Sequence, residues 1–272
     1  MLDATDLTSK PACVDFIEAG AGSLVVLVHS SMAGARQWAA LTQDLQDRFL
    51  VRAVNLFGYG NTPAWSGTRL PSLEDYAKLA ALAVPAAASN ITLIGHSFGG
   101  AVAMQCAAHQ LKEQVERLVL IEPSPFYLLD IRGHEEAFRE ITMLAQYTSR
   151  CIANRTPEAA AERFIDYWCG AGTWTASSAD RRTVIVQSIG LLLHEWNAVL
   201  AGKDTIAEWT AALPQDTLVM SSTKTSRPSS ELVELLLDAR PDWGAASIRD
   251  AGHMAPMTHP QLVNPIIRNF LG

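Results

Sequence analysis

The chain has no cluster of basic residues: its 21 Lys and Arg are outnumbered by 28 Asp and Glu, for a net charge of −7. Phosphate binding is driven by gathered Lys and Arg, so no nucleic-acid partner is expected. The first ten residues, MLDATDLTSK, carry Asp3 and Asp6 and lack the basic flank and apolar core of a secretion signal. No apolar run is read as approaching the roughly 20 residues of a membrane span, so no membrane partner is expected either. The four cysteines, Cys13, Cys106, Cys151 and Cys169, lie far apart without a C-x-x-C pair. Neither a zinc site nor a disulfide framework is indicated, and a reducing cytoplasm is the simplest setting. Cys106 sits in an apolar stretch and reads as a small core residue rather than a nucleophile.

What remains is an ordinary globular composition, 49% apolar and 18% charged, in a chain of 272 residues. That length buries one sizeable core, and an α/β fold of this size is commonly one domain with an insertion. Apolar runs at 24–28 (LVVLV), 51–54, 91–94, 117–121 (RLVLI) and 217–220 alternate with helical patterns, and an earlier strand is expected near 12–18. Such alternation predicts βαβ units on a mostly parallel central sheet flanked by helices, its strands apolar at every position because both faces are covered. Ser72 is a plausible N-cap for LEDYAKLAALAV, with Glu74 and Asp75 in the first turn. Residues 126–212 differ, showing helical periodicity and no clear strand. They also hold Trp168, Trp174, Trp196 and Trp209, which serve either as packing or as pocket walls. We expect this segment to be a helical cap inserted into a core formed by residues 1–125 and 213–272.

The strongest local signal is ITLIGHSFGGAVAM, in which an apolar strand meets Gly95-His96-Ser97-Phe98-Gly99 and a helix follows. This is G-x-S-x-G in a strand–turn–helix context. Glycines flank the serine because the turn leaves no room for side chains, and the strain holds the Ser97 oxygen clear of the sheet. His194 and Glu195 in LLHEWNAV lack the second His of a zinc-protease helix, so no metal is implied.

Taken with LVVLVHSSMAGARQW, VNLFGYGNT and DAGHMAPMTHP, in that order along the chain, IGHSFGGA makes the sequence resemble the α/β-hydrolase family, among the capped esterases, lipases and C–C hydrolases. The resemblance implies Ser97 as nucleophile and His253, in AGHM, as general base, with His259 a weaker rival. It implies an oxyanion hole from the backbone N–H groups of Phe98 and Ser31. His29 and His96 fall in structural rather than catalytic positions. Two departures stand out: Ser30 replaces the usual Gly of the His-Gly pair, and Asn55 replaces a common Asp.

The triad acid of most relatives follows the strand at 218–220, but TLVMSSTKTSRP holds neither Asp nor Glu, and Thr225 stands near the expected place. A minority arrangement puts a Glu at the end of the preceding strand. Here that strand is RLVLI, and Glu122 follows it directly, at the sheet edge where Ser97 also emerges. Glu122 is therefore expected as the acid, ahead of Asp204, Asp216 and Asp250, with a bare Ser-His dyad still open. A serine nucleophile argues against aspartyl-ester chemistry. The expected function is hydrolysis of a small, mostly apolar ester or related carbonyl substrate through an acyl-enzyme, without a cofactor. Two alternatives remain: cleavage of a C–C bond beside a ketone by the same residues, and a ligand-binding or receptor protein with a vestigial triad.

Overall fold

A computed structural model describes residues 13–272. MLDATDLTSK, and the start of the strand expected near 12–18, lie outside the described residues. The described strands are β1 (Phe16–Ala19), β2 (Ser23–Val28), β3 (Phe49–Val54), β4 (Ile91–His96), β5 (Val115–Ile121), β6 (Asp216–Ser222) and β7 (Gly244–Ile248). They form one sheet in the order β1-β3-β2-β4-β5-β6-β7, parallel throughout except that β1 runs antiparallel to β3.

The unbroken apolar runs follow from the layers. Along β2, Leu24, Val26 and Val28 join the core on one face while Val25 and Leu27 join the core on the other. In β5, Leu118 and Leu120 likewise alternate with Val119 and Ile121. Successive side chains of a strand point to opposite faces, so a strand covered on both sides needs apolar residues at every position. β7, with the sequence GAASI, is absent from the sequence reading for the opposite reason. It pairs only with β6 at the sheet edge and buries only Ile248.

Helices α1 (Ala39–Leu45), α2 (Leu73–Ala81) and α3 (Phe98–Gln105) connect the first strands. Ser72 does cap α2, donating its backbone N–H and hydroxyl to Asp75, both at 2.8 Å. Between β5 and β6 the described residues form only helices: α4 (Tyr127–Ile131), α5 (Glu135–Ala153), α6 (Pro157–Cys169), α7 (Thr173–Ala176), α8 (Ala179–Ser188), α9 (Leu192–Leu200) and α10 (Ile206–Ala212). Pro157 opens α6, where its missing N–H costs nothing. Buried Phe164, Ile165 and Trp168 then form the inward face of α6. The chain ends with α11 (Arg227–Ala239), α12 (Ala255–Thr258) and α13 (Pro260–Leu271).

One helical run bears on the expectation that no segment spans a membrane. The helical run Ala179–Leu200 is 22 residues long with a mean hydropathy of 1.2, enough by length and composition alone to cross a membrane. Ile185, Ile189, Leu192, Trp196 and Val199 of this run pack in the protein core, while Val184 is exposed.

Candidate active site

Parallel strands deliver their C-terminal ends to one edge of the sheet, and the turns and loops there carry Ser97, Glu122 and His253. Ser97 occupies the turn between β4 and α3 at φ 54° and ψ −120°, a backbone conformation rare for a side-chain-bearing residue. The flanking glycines make the turn possible. A Cβ on Gly95 would lie 2.3 Å from the Gly99 carbonyl oxygen, and one on Gly99 would lie 2.2 Å from that of Val28.

The loop after β7 brings His253 to this turn. Its Nε2 lies 2.8 Å from Ser97 Oγ and its Nδ1 lies 2.5 Å from Glu122 Oε2. These partners set the tautomer: Nδ1–H donates to the carboxylate, leaving Nε2 to accept from the serine hydroxyl. Ser97 and His253 are buried, and Glu122 is completely so.

Glu122 stands one residue beyond β5, at φ 44°, and its own N–H continues the ladder to the Met220 carbonyl at 3.0 Å. Its carboxylate accepts the Ser222 N–H on Oε1 and the Thr225 hydroxyl on Oε2, both at 2.6 Å. Burial opposes the charge, but the hydrogen bond and charge of His253, with the Thr225 hydroxyl, outweigh it and hold the carboxyl at about 2. Thr225 thus stands where the acid was expected and donates its hydroxyl to Glu122.

Ser31 and Phe98 line the same cavity as Ser97 and His253. Phe98 is the first residue of α3, so its N–H has no acceptor within the helix and lies at the positive end of the helix. Ser30, the departure from glycine, is buried and engaged. Its N–H and hydroxyl both donate to Gln37 Oε1, at 3.0 and 2.7 Å. Gln37 Nε2 meets His96 Nδ1 at 3.1 Å, and His96 Nε2 meets the His253 carbonyl at 2.9 Å. A buried hydrogen-bond chain therefore runs from the turn carrying Ser31 to the loop carrying His253. Burial lowers His96 to about 3, so it stays neutral and can accept from Gln37 while donating to His253. His29 is a brace as well, its Nδ1 2.7 Å from the Ser30 carbonyl and its Nε2 accepting the Leu56 N–H at 3.1 Å, with burial lowering it to about 4. Asn55 keeps an organising role through its carbonyl, which accepts the Ala35 N–H at 2.8 Å, while its amide donates to Asp15 at 2.7 Å.

The rival acids lie elsewhere. Asp216 pairs with Arg117 at 3.0 Å at the start of β6, and Asp250 pairs with Lys224 at 3.3 Å on the surface. Asp204 lines a separate cavity beside α2 and α9. His259 Nδ1 is 2.8 Å from Thr258 Oγ1.

The cavity above Ser97 has a volume of about 460 Å³. Its apolar wall comes largely from the helices between β5 and β6, including Phe164, Ile165, Trp168 and Val199, with Met257 of α12 opposite. Trp168 lies against His253, ring centroids 4.2 Å apart, and Trp196 also lines the cavity, so two of the four Trp of this segment reach the site.

A match to the model of the alpha/beta hydrolase family spans residues 25–266. The chain belongs to the alpha/beta hydrolase family. Among relatives of this hydrolase, the pimeloyl-[acyl-carrier protein] methyl ester esterase of Aeromonas salmonicida is 31% identical, the alignment covering 93% of this chain and 97% of that protein. The enzyme of the same description from Aromatoleum aromaticum is 27% identical over 90% of this chain and 98% of its own. Among solved structures, a thermophilic esterase from Thermogutta terrifontis shares the fold with a TM-score of 0.72 at 23% identity, covering 97% of this chain and 95% of its own.

Glu195, weighed in the sequence only as part of an incomplete zinc-protease motif, lies in the cavity wall of this hydrolase and is only 2% exposed. Burial pushes its carboxyl up to about 7, and the Tyr59 hydroxyl that donates to it opposes the rise. A signal was present: in LLHEWNAV, Glu195 occupies the buried stripe of α9 with Leu192, Trp196 and Val199, where an acid is out of pattern.

Proposed function

We propose that this hydrolase cleaves a small, mostly apolar carboxylic ester through an acyl-enzyme on Ser97. The observation that carries the reading is His253 standing between Ser97 Oγ at 2.8 Å and Glu122 Oε2 at 2.5 Å. In the first step Ser97 Oγ attacks the ester carbonyl carbon while His253 Nε2 takes the serine proton. Glu122 holds Nδ1–H and compensates the imidazolium charge, which its own low-lying carboxyl is equipped to do. The N–H groups of Phe98 and Ser31 receive the oxyanion. As the intermediate collapses, His253 returns the proton to the leaving alkoxide. A water then attacks the acyl-enzyme by the same route, releasing the acid and restoring Ser97. The machinery requires no cofactor.

The largely apolar lining supports a mostly apolar acyl chain, and the curated relatives make methyl esters, with methanol as leaving group, the first substrates to test. Residues 126–212 act in this reading as a cap over a core of 1–125 and 213–272, because their helices close the cavity. The test is hydrolysis of a graded series of methyl and p-nitrophenyl esters by wild type and Ser97→Ala. Turnover by the wild type and none by the folded variant is expected. Equal turnover by the two, or ligand binding without turnover, overturns the reading.

A further inference from the structure

Glu195 is buried on α9 without an ion-pair partner among the described residues. One oxygen, Oε1, accepts the Tyr59 hydroxyl at 2.7 Å; the other has no hydrogen-bond partner among the described residues. A leucine there would continue the apolar stripe of Leu192, Trp196 and Val199 without the desolvation cost of a carboxyl. The position therefore works against packing, and the partner of its partner shows what is gained. Tyr59 accepts the Met32 N–H on its hydroxyl oxygen at 2.8 Å. Met32 follows Ser31 directly and is held at φ 62°, so the turn is fixed in a conformation it would not adopt unaided. The Tyr59 ring also lies edge-on to His29, centroids 4.5 Å apart, behind the same turn.

We propose that Glu195 is a positioning residue, orienting the Ser31 N–H through the Glu195–Tyr59–Met32 hydrogen bonds so that α9 of the cap and the oxyanion-binding turn act as one unit. The inference rests on the reading above that the Ser31 N–H receives the oxyanion. Tyr59 can donate to one acceptor only, and with Glu195 in place its proton is committed and its lone pair faces Met32. Without the carboxyl, Tyr59 loses its partner and the turn loses the element that selects its orientation. An N–H displaced from the oxyanion affects the transition state while leaving ground-state binding of the ester nearly untouched.

The test uses p-nitrophenyl acetate, whose acyl group is too short to exploit the cap wall, and a trifluoromethyl ketone, whose hemiketal oxyanion needs the hole. The proteins are the wild type, Glu195→Leu, Glu195→Gln, Tyr59→Phe and the Leu/Phe double variant. Glu195→Leu and Tyr59→Phe are each expected to lower kcat about 10- to 100-fold with KM within about threefold, part of the roughly 10²–10³ lost when a donor is removed outright. Ketone affinity falls in step, the double variant is no worse than the worse single one, and Glu195→Gln recovers most of the loss because its amide carbonyl accepts from Tyr59. Unchanged kcat in either single variant, or losses that multiply in the double, overturns the proposal. Should Glu195→Leu not fold, Tyr59→Phe carries the decision alone, since a retained kcat there contradicts the coupling. Wild-type protein that hydrolyses no ester is a separate result, seen before any variant is compared, and overturns the site reading together with this inference.

Discussion

Thr225 donates its hydroxyl to Oε2 of Glu122 at 2.6 Å, the oxygen that also meets Nδ1 of His253. The strand end where the family resemblance places the acid instead supplies a hydrogen bond to Glu122, which we propose as the acid. Glu122→Gln is therefore expected to keep the fold and lose kcat by up to about 10⁴-fold, because an amide holds the wrong tautomer and cannot offset the imidazolium. Thr225→Val should cost only about tenfold in kcat, about 1.4 kcal/mol on the activation barrier. Steady-state kinetics on one activated ester check both, and a larger loss for the Thr225 variant contradicts the division of roles.

Glu122 also sets an acid limit on stability. Its folded-state carboxyl is held at about 2, below the ordinary 4.5, so its contribution is present above pH 4.5 and is lost as pH falls toward 2. Wild type should lose stability to urea more steeply than Glu122→Gln across that window. Parallel curves for the two proteins would contradict the low-lying carboxyl.

Glu195 predicts the opposite slope. With its folded carboxyl raised from 4.5 to about 7, the native state binds the extra proton between those values. Stability from this group is complete below pH 4.5 and declines as pH rises through 7, by on the order of 3 kcal/mol. Tyr59 and Tyr76, the neighbours that sense its charge, stay protonated throughout, both raised by burial, and His29 stays neutral. The difference in Tm between wild type and Glu195→Gln should shift toward the variant as pH rises from 5 to 8. A constant difference would contradict it.

The strands and the tight Gly95–Gly99 turn were legible because they rest on local rules: apolar runs for strands covered on both faces, and glycines where the Gly95 and Gly99 backbones touch neighbours. Glu122 beside His253 was suggested by the resemblance to relatives that carry a Glu after this strand, because TLVMSSTKTSRP holds no Asp or Glu. Edge strand β7 was not, because a half-exposed GAASI carries no hydrophobic signature. Nor was the Ser30–Gln37–His96 chain or the Glu195–Tyr59 pair. Each joins residues far apart in sequence through contacts that only the folded sheet edge creates.

The tight turn gives a stability prediction independent of catalysis. Gly99→Ala places a methyl 2.2 Å from the Val28 carbonyl oxygen and 2.4 Å from that of His29, both backbone atoms that cannot turn aside. A loss of about 3 kcal/mol or more is expected in urea unfolding. An unchanged midpoint would mean that the turn has room the geometry denies.

The central claim is that Ser97 carries the acyl group, and the most direct measurement is mass spectrometry of the protein after reaction with a fluorophosphonate ester. One adduct per chain, mapped to the peptide containing GHSFG and absent from Ser97→Ala, is the expected result. An adduct on another residue, or an unmodified Ser97 in protein that turns over ester, would contradict the account.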